Sequence, residues 1–366
     1  MQAVQGWPEV GERVRDMRLA RGLSQAALAE ELGIDRTAVV RIEAGERQVS
    51  ALELGHLSDI LRVPIAHFVT QPPAAVTTYR TLLADDPDQG ARDRVLLDVD
   101  LEAHARDAEW LKDQGLLERA PHLITPGLVG DAEAAVELAR DVRRQIGIPS
   151  GSLGPLAEVG ELFGLYIVVV DRDVSGASLQ LEPGFGVAVI GGHAQPGRRR
   201  WTAAHEIGHH LTGDAYHSDV GVAASDAEKE KVIDAFVGEF LLPTDDVRAA
   251  WSGAAQAEPY SQLVRIAAEY RLSWSSTIAS ASRADVIDRR DVQGLRARTP
   301  TRGDFLEIVG YEPPADLTPG TTGPGWKRAV FAAWRNGRIS AERAVQLVHN
   351  TLTVGDLPQL EVFVKQ

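Results

Sequence analysis

In the first seventy residues, apolar positions recur at helical spacing in short runs punctuated by capping residues and glycine. Val14, Met17 and Leu19 fall in a first helix, and Ser24 caps a second that runs through Leu28 and Leu32. Gly33-Ile34 makes a turn, Asp35 caps a third helix through Ile42, and Gly45 stops it; Ser50 to Leu61 and Pro64 to Phe68 supply two more. After Gln71-Pro72-Pro73 the pattern loosens. Arg80 to Leu117 mixes acids, arginine and apolar residues, Trp110 and Leu111 among them, at helical spacing, and Gly127 to Gly130 breaks it. From Asp131 helical and extended patterns alternate: Ala134 to Ile146 and Leu156 to Phe163 predict helices, Leu165 to Val170 a buried strand, and Gly184 to Ile190 another strand. Beyond Asp291, Thr299 to Gly325 is rich in Pro, Gly and Thr and reads mostly as loop. Amphipathic helices are expected over Trp326 to Trp334 and Ala341 to Leu352, and a short strand over Leu360 to Val364.

The chain is therefore expected to be multidomain: an all-α domain over 1–70, a helical linker or dimerisation segment over 71–130, an α+β domain over 131–290, and a small, mostly helical C-terminal region of unknown role over 291–366. A length of 366 residues suits two or three domains. Cysteine is absent, which leaves histidine and carboxylates as the ligands for any metal and suits a reducing compartment. Met1 to Val10 has no basic n-region, and the strongest apolar run, Tyr166 to Val170, is far short of the roughly 20 residues a membrane span needs, so a cytoplasmic protein is expected. The net charge of -14 argues against a nonspecific nucleic-acid coat, and residues 1–70 carry 8 Arg, no Lys and 10 acids. Any DNA binding must rest on local pattern.

That local pattern is Ser24-Gln25-x-x-Leu28-Ala29, a glycine turn, and Arg41-Ile42-Glu43-x-Gly45, the arrangement of a helix-turn-helix. Residues 11–70 resemble the Cro/CI-type (XRE) helix-turn-helix domain. The resemblance implies that Gln25, at the start of the second helix, binds phosphate, and that Arg36, Thr37, Val40 and Arg41 point from the recognition helix into the major groove of a double-stranded DNA operator. Arg47 would add a backbone contact. Arginine suits guanine edges, whereas Val40 offers only apolar contact, as with a thymine methyl. Paired recognition helices on palindromic sites imply a homodimer.

The second motif is His205-Glu206-Ile207-Gly208-His209. Residues four apart share a helix face, so His205 and His209 can reach one tetrahedral Zn²⁺, while Glu206 is placed to take a proton from the water that the metal acidifies. A catalytic site needs a third protein ligand, for which Asp214 and Glu230 are the candidates. Glu230 is favoured, because Asp234 one turn on shares its face and would orient a ligand imidazole. The metzincin pattern fails at Thr212 and Ala215. His210 and His217 read as solvated or rim histidines, and Tyr216 and His217 are oxyanion-donor candidates by proximity. The run Arg198-Arg199-Arg200-Trp201 reads as structural arginine beside an apolar anchor. The strand at Gly184 to Ile190 would offer an edge to an extended substrate.

Residues 131 to about 285 resemble the ImmA/IrrE metallopeptidases, in Arg200-Trp201-Thr202-x-Ala204-His205-Glu206-x-Gly208-His209, in Glu230-x-x-x-Asp234-x-Phe236, and in Phe240-Leu241-Leu242-Pro243. Ile233 and Val237 depart from the family's usual residues. The resemblance implies a zincin-like (gluzincin) fold with His205, His209 and Glu230 on the metal, Asp234 behind them and Glu206 as base, acting on a helix-turn-helix repressor. Zn²⁺ is the expected cofactor, with Mn²⁺, Fe²⁺ or Co²⁺ compatible with the same donors. The expected function is a DNA-binding regulator carrying a zinc endopeptidase. Two alternatives stand: a transcription factor whose peptidase-like domain senses a metal or ligand without proteolysis, and an antitoxin-like protein-docking module.

Overall fold

The computed structural model describes residues 3–71, 88–120, 130–213, 216–218, 227–253 and 258–359. Its first part is the helical bundle expected: α1 (Trp7–Ala20), α2 (Gln25–Leu32), α3 (Arg36–Glu43), α4 (Ala51–Leu61) and α5 (Ile65–Val69). Ser24, Asp35 and Ser50 each cap the helix that follows by accepting from a backbone N–H two or three residues inside it. Val14, Met17, Leu28, Ile42, Leu57 and Phe68 form the core. Within it Arg18 bonds both oxygens of Glu43, and Arg13 reaches the carbonyl of Thr70, so buried charges are paired or hydrogen-bonded.

The segment expected as a linker forms α6 (Gln89–Asp113). Val95 and Val99 of this helix complete the core of the N-terminal bundle, whereas Leu97, Leu101, Ala105 and Ala108 belong to the core beneath the sheet. The two sets are offset by two residues, about 200° around the helix, and so lie on opposite faces. His67 Nδ1 of α5 lies 3.1 Å from Glu102 Oε2 of α6 at the same junction.

A second part, a small mixed sheet with helices, follows. After α7 (Ala132–Gln145) and α8 (Leu156–Leu162) come β1 (Leu165–Val170), β2 (Gly176–Glu182), β3 (Phe185–Gly191), α9 (Pro196–Thr212) and β4 (Tyr216–Ser218), with sheet order β1-β3-β2-β4. β1 and β3 are parallel; β2 is antiparallel to β3 and to β4. Strand parity divides the side chains cleanly. Leu165, Ile167, Val169, Ala188 and Ile190 face Ala203, Ala204, Ile207 and Leu211 of α9. Tyr166, Val168, Leu179, Val187 and Val189 face α6 and the C-terminal helices. Both faces are covered, which is why β1 reads as an unbroken apolar run.

Helices α10 (Ala227–Leu241), α11 (Thr244–Gly253), α12 (Pro259–Tyr270) and α13 (Trp274–Arg283) close the α9 side. The C-terminal region gives α14 (Arg289–Ala297), α15 (Arg302–Ile308), α16 (Pro324–Arg335) and α17 (Ala341–Leu347). It is built into the body: Trp326 and Val330 of α16 complete the core under the sheet. Residues 320–322 also run along β1, where Val169 N–H donates to Thr321 O at 3.0 Å and Gly320 N–H to Val169 O at 2.8 Å.

One expectation needs correction: the strand expected as a substrate edge, β3, lies in the sheet interior, hydrogen-bonded on one side to β1 and on the other to β2. The strand β2 was not legible as a strand. Thr299 to Gly325 is mostly irregular, as expected, with the short helix α15 within it. The expected strand over Leu360 to Val364 lies outside the described residues.

A pH dependence follows from the core under the sheet. His104 of α6 donates from Nε2 to Tyr166 O at 2.9 Å, its ring packs 4.4 Å from that of Trp326, and His349 follows α17 nearby. Burial pushes His104 down to about 3 and His349 down to about 4, from an ordinary value near 6.5. Both are neutral in the folded protein and gain a proton on unfolding below pH 6.5. Their contribution to stability is therefore present above that pH and is lost as pH falls toward 4, by about 1.4 kcal/mol per pH unit for each group. His349 has a φ of 54°, which asparagine tolerates. His349→Asn is expected to flatten the fall of the denaturation midpoint between pH 6.5 and 4 by about one proton's worth; an unchanged slope would remove His349 from this account.

Candidate metal centre

α9 starts at Pro196 and ends at Thr212, capped by Gly213, whose φ of 83° is left-handed. Along it His205 and His209 turn toward α10. Gly208 sets how near α10 can come: a Cβ there would lie 3.1 Å from both Ile233 Cγ2 and Phe236 Cδ1, closer than side chains normally pack. That approach brings Glu230, in the first turn of α10, to the two histidines. His205 Nε2 is 3.0 Å from Glu230 Oε2 and 3.1 Å from His209 Nε2, and His209 Nε2 is 3.8 Å from Glu230 Oε1.

The donor set fits a divalent cation. Two imidazole nitrogens and a carboxylate oxygen that bond one tetrahedral ion at about 2.0–2.1 Å sit about 3.3 Å from one another, within the spread of these separations. All three ligand atoms lie within 4.8 Å of each other, and among the described residues they are the only such cluster of three. Asp234 Oδ1 lies 3.6 Å from His205 Nδ1, on the far side of that ring from the cluster. Asp214 lies outside the described residues.

Glu206 is fully buried, and Ser178 Oγ of β2 donates to its Oε2 at 2.6 Å. Ser178 reaches it because it has the parity of the residues that face α9, opposite to that of Ala177 and Leu179. Gly176, two residues earlier on the same face, leaves room: a Cβ there would fall 2.5 Å from Thr202 Cγ2 and 3.1 Å from Glu206 Oε1. Sequence reasoning missed Ser178, although the alternation Ala177-Ser178-Leu179-Gln180 was a usable signal. Ser178→Ala is expected to lower any Glu206-dependent turnover about tenfold with metal affinity unchanged. A turnover within twofold of the parent would show that Ser178 does not position Glu206.

The neighbouring residues sort differently from their sequence reading. His210 is buried, not solvated: its Nε2 donates to Phe163 O at 2.9 Å, and burial pushes its pKa down. In register, β4 places His217 opposite Ser178, and the side chains of Tyr216 and His217 lie outside the description. Arg199 and Arg200 are structural. Arg199 donates to the carbonyls of Gly192, Ala194 and Asp316, and Arg200 pairs with the Asp316 carboxylate. Beside His205, Glu230 and Asp234 opens a cleft of about 530 Å³, bordered also by Arg198, Trp201 and Thr202.

On the N-terminal bundle, Arg36, Thr37, Val40 and Arg41 are all exposed along α3. Gln25 and Arg47 are engaged within the chain, Gln25 Nε2 donating to Glu43 Oε2 at 2.9 Å and Arg47 to Glu53 Oε1 at 2.6 Å. No helix among the described residues is long and apolar enough to cross a membrane.

Comparison with known proteins agrees with both halves of this description. Residues 14–68 match the helix-turn-helix family model, and residues 165–279 match the model of a peptidase family described as the IrrE N-terminal-like domain. The latter stretch runs from β1 through most of α13 and contains every residue of the metal cluster. Two similar proteins, from Sinorhizobium medicae (strain WSM419) and Rhizobium meliloti (strain 1021), carry the name uncharacterized HTH-type transcriptional regulator. Each is 39% identical over 64 residues, 18% of this chain and 46% of its own. A third so named, from Sinorhizobium fredii, is 38% identical over 64 residues. The chain thus spans about half the length of the curated relatives it matches.

Proposed function

We propose that this chain is a DNA-binding transcriptional regulator whose second part is a divalent-metal-dependent endopeptidase acting on a repressor-type protein. The observation that carries the reading is the convergence of His205, His209 and Glu230, with Glu206 one residue along the same helix, in a chain that also exposes Arg36, Thr37, Val40 and Arg41 on a helix-turn-helix.

His205, His209 and Glu230 would hold the cation, with zinc the first choice and manganese, iron or cobalt compatible with the donors. When bound, it supplies a Lewis acid that makes water acidic near neutral pH and polarises a carbonyl. The chain's own residues do the rest. Asp234 orients His205, and Ser178 fixes Glu206 by donating to one of its carboxylate oxygens. Glu206 accepts a proton from the attacking water and returns it to the departing amine. Its burial excludes bulk water from that exchange.

The DNA reading assigns base contacts to Arg36, Thr37, Val40 and Arg41 and phosphate contacts to Gln25 and Arg47, in a homodimer on a two-fold site. Gln25 and Arg47 would exchange their partners Glu43 and Glu53 for phosphate.

Two measurements on the full chain test the halves separately. Zinc titration is expected to show one ion per chain, lost in Glu230→Ala. Binding to DNA from the chain's own upstream region is expected to weaken steeply between 50 and 200 mM salt. Arg36→Ala or Arg41→Ala is expected to cost about 1–3 kcal/mol on the preferred sequence. Equal affinity for scrambled DNA at low salt would favour protein docking by this domain, and more than one chain per ion would relocate the metal.

A further inference from the structure

The metal cleft does not end at the metal. Its lining includes Ser273, Ser275 and Arg296, and these same three residues line a second cavity of about 680 Å³. This second cavity is walled by Leu272, Trp274, Phe305, Pro313 and Pro314, so it is largely apolar. Phe305, Pro313 and Pro314 of that wall come from residues 289–314, C-terminal to the stretch that matches the peptidase family. The wall is fixed, because Trp274 Nε1 donates to Leu295 O of α14 at 2.7 Å.

Two arginines and two carboxylates border the metal cleft. Arg296 and Arg198 both border the metal cleft, both are exposed, and neither has an ion pair or side-chain hydrogen bond among the described residues. The other arginines nearby are committed. Arg302 pairs with Glu312 at 2.8 Å, Arg200 with Asp316, and Arg271 donates to Leu153 O. Glu230 lies against the two histidines, and Asp234, half exposed, stands 3.6 Å from His205 Nδ1. With a divalent cation held by His205, His209 and Glu230 the cleft lining becomes net positive, and Arg198 and Arg296 are the groups in it placed to attract a carboxylate.

We infer that residues 289–314 build a second binding pocket of the peptidase cleft, which selects a polypeptide segment with an acidic side chain for Arg198 and Arg296 and a bulky apolar side chain for the Trp274–Phe305 pocket. The occupant is a polypeptide because only a chain of several residues spans both cavities, which adjoin at Ser273, Ser275 and Arg296. The inference rests on the peptidase reading.

The test uses full-length, zinc-loaded Glu206→Gln protein, so that binding is read without turnover. The probes are two fluorescein-labelled dodecapeptide pools, alike except that one carries Asp or Glu and the other Lys, two residues from a fixed Phe. Anisotropy is expected to show the acidic pool binding roughly tenfold more tightly. Adding Arg198→Glu and Arg296→Glu together is expected to reverse the preference, and adding Phe305→Ala to lose the advantage of Phe over Ala at the fixed position. Unchanged melting temperatures confirm that the variants fold. Equal affinity for the two pools, including none for either, or a preference that survives the double charge reversal, overturns the inference. The parent protein separates the two readings. If it leaves tightly bound acidic peptides uncut, the peptidase reading fails and the pocket stands; if it cuts both pools at one rate, the pocket fails and the peptidase reading stands.

Discussion

Glu206→Gln is expected to lower peptide-bond hydrolysis by about 10²- to 10⁴-fold while one zinc ion per chain remains bound. The amide keeps the shape of the side chain and can still meet Ser178 Oγ, so the helix and the ligands on it are undisturbed. What it loses is the capacity to accept a proton from water. His205, His209 and Glu230 do not depend on that group, and metal content and hydrolysis should therefore separate. Isothermal titration with zinc, beside cleavage of a helix-turn-helix repressor from the same cell followed by mass spectrometry, reads both. Undiminished cleavage by the variant would remove Glu206 from the mechanism. If the parent binds zinc tightly, cuts none of the repressors offered and binds its operator differently with and without the ion, the second part is a sensor.

Asp316→Ala is expected to destabilise the protein by about 3–5 kcal/mol. Arg200 and Asp316 are both buried, at 1% and 8% exposure, and the aspartate also accepts from the backbone N–H groups of Leu156 and Leu317. Removing the carboxylate leaves the buried guanidinium with only the carbonyls of Leu153 and Gly154 and no compensating charge. Replacing both partners with apolar residues of similar size, Arg200→Met with Asp316→Leu, should recover most of the loss, because the uncompensated charge and not the missing attraction dominates the cost. Denaturant midpoints of the single and double variants check this. A loss below about 1 kcal/mol for the single change would mean that Arg200 finds another partner or water. The same pair holds the C-terminal region to the start of α9, so the single variant should also weaken zinc binding.

The parts legible in the sequence were those governed by local rules. Ser24, Asp35 and Ser50 announce helices through their capping chemistry, and α2, α3 and α4 begin where those residues place them. His205 and His209 are set by helix geometry alone, and Glu230 with Asp234 by the same rule one helix later. The unbroken run of β1 reports that both its faces are covered. β2 was missed because Gly176, Ser178 and Gln180, the positions it turns toward α9, are small or polar where they border the site. His210 was misjudged because polarity suggested water, whereas a single carbonyl, Phe163 O, satisfies its buried donor. Contacts such as Arg200 with Asp316 join residues 116 apart in sequence, and no periodicity encodes them. The same holds for the apolar wall supplied by residues 289–314.

The helix α6 limits how this architecture can be recombined. A regulator assembled by exchanging DNA-reading heads would be cut most simply at a domain boundary, but no clean boundary runs through α6, since Val95 and Val99 belong to the head while Leu97, Leu101 and Ala105 belong to the sheet's underside. A fragment beginning at residue 131 would bare that underside, at about 2 kcal/mol for each leucine no longer buried. A viable junction lies before Gln89, and any incoming head must bring a surface that accepts Val95, Val99 and the Glu102 carboxylate. An exchanged head must therefore match the body it joins, with α6 as the part that must fit both.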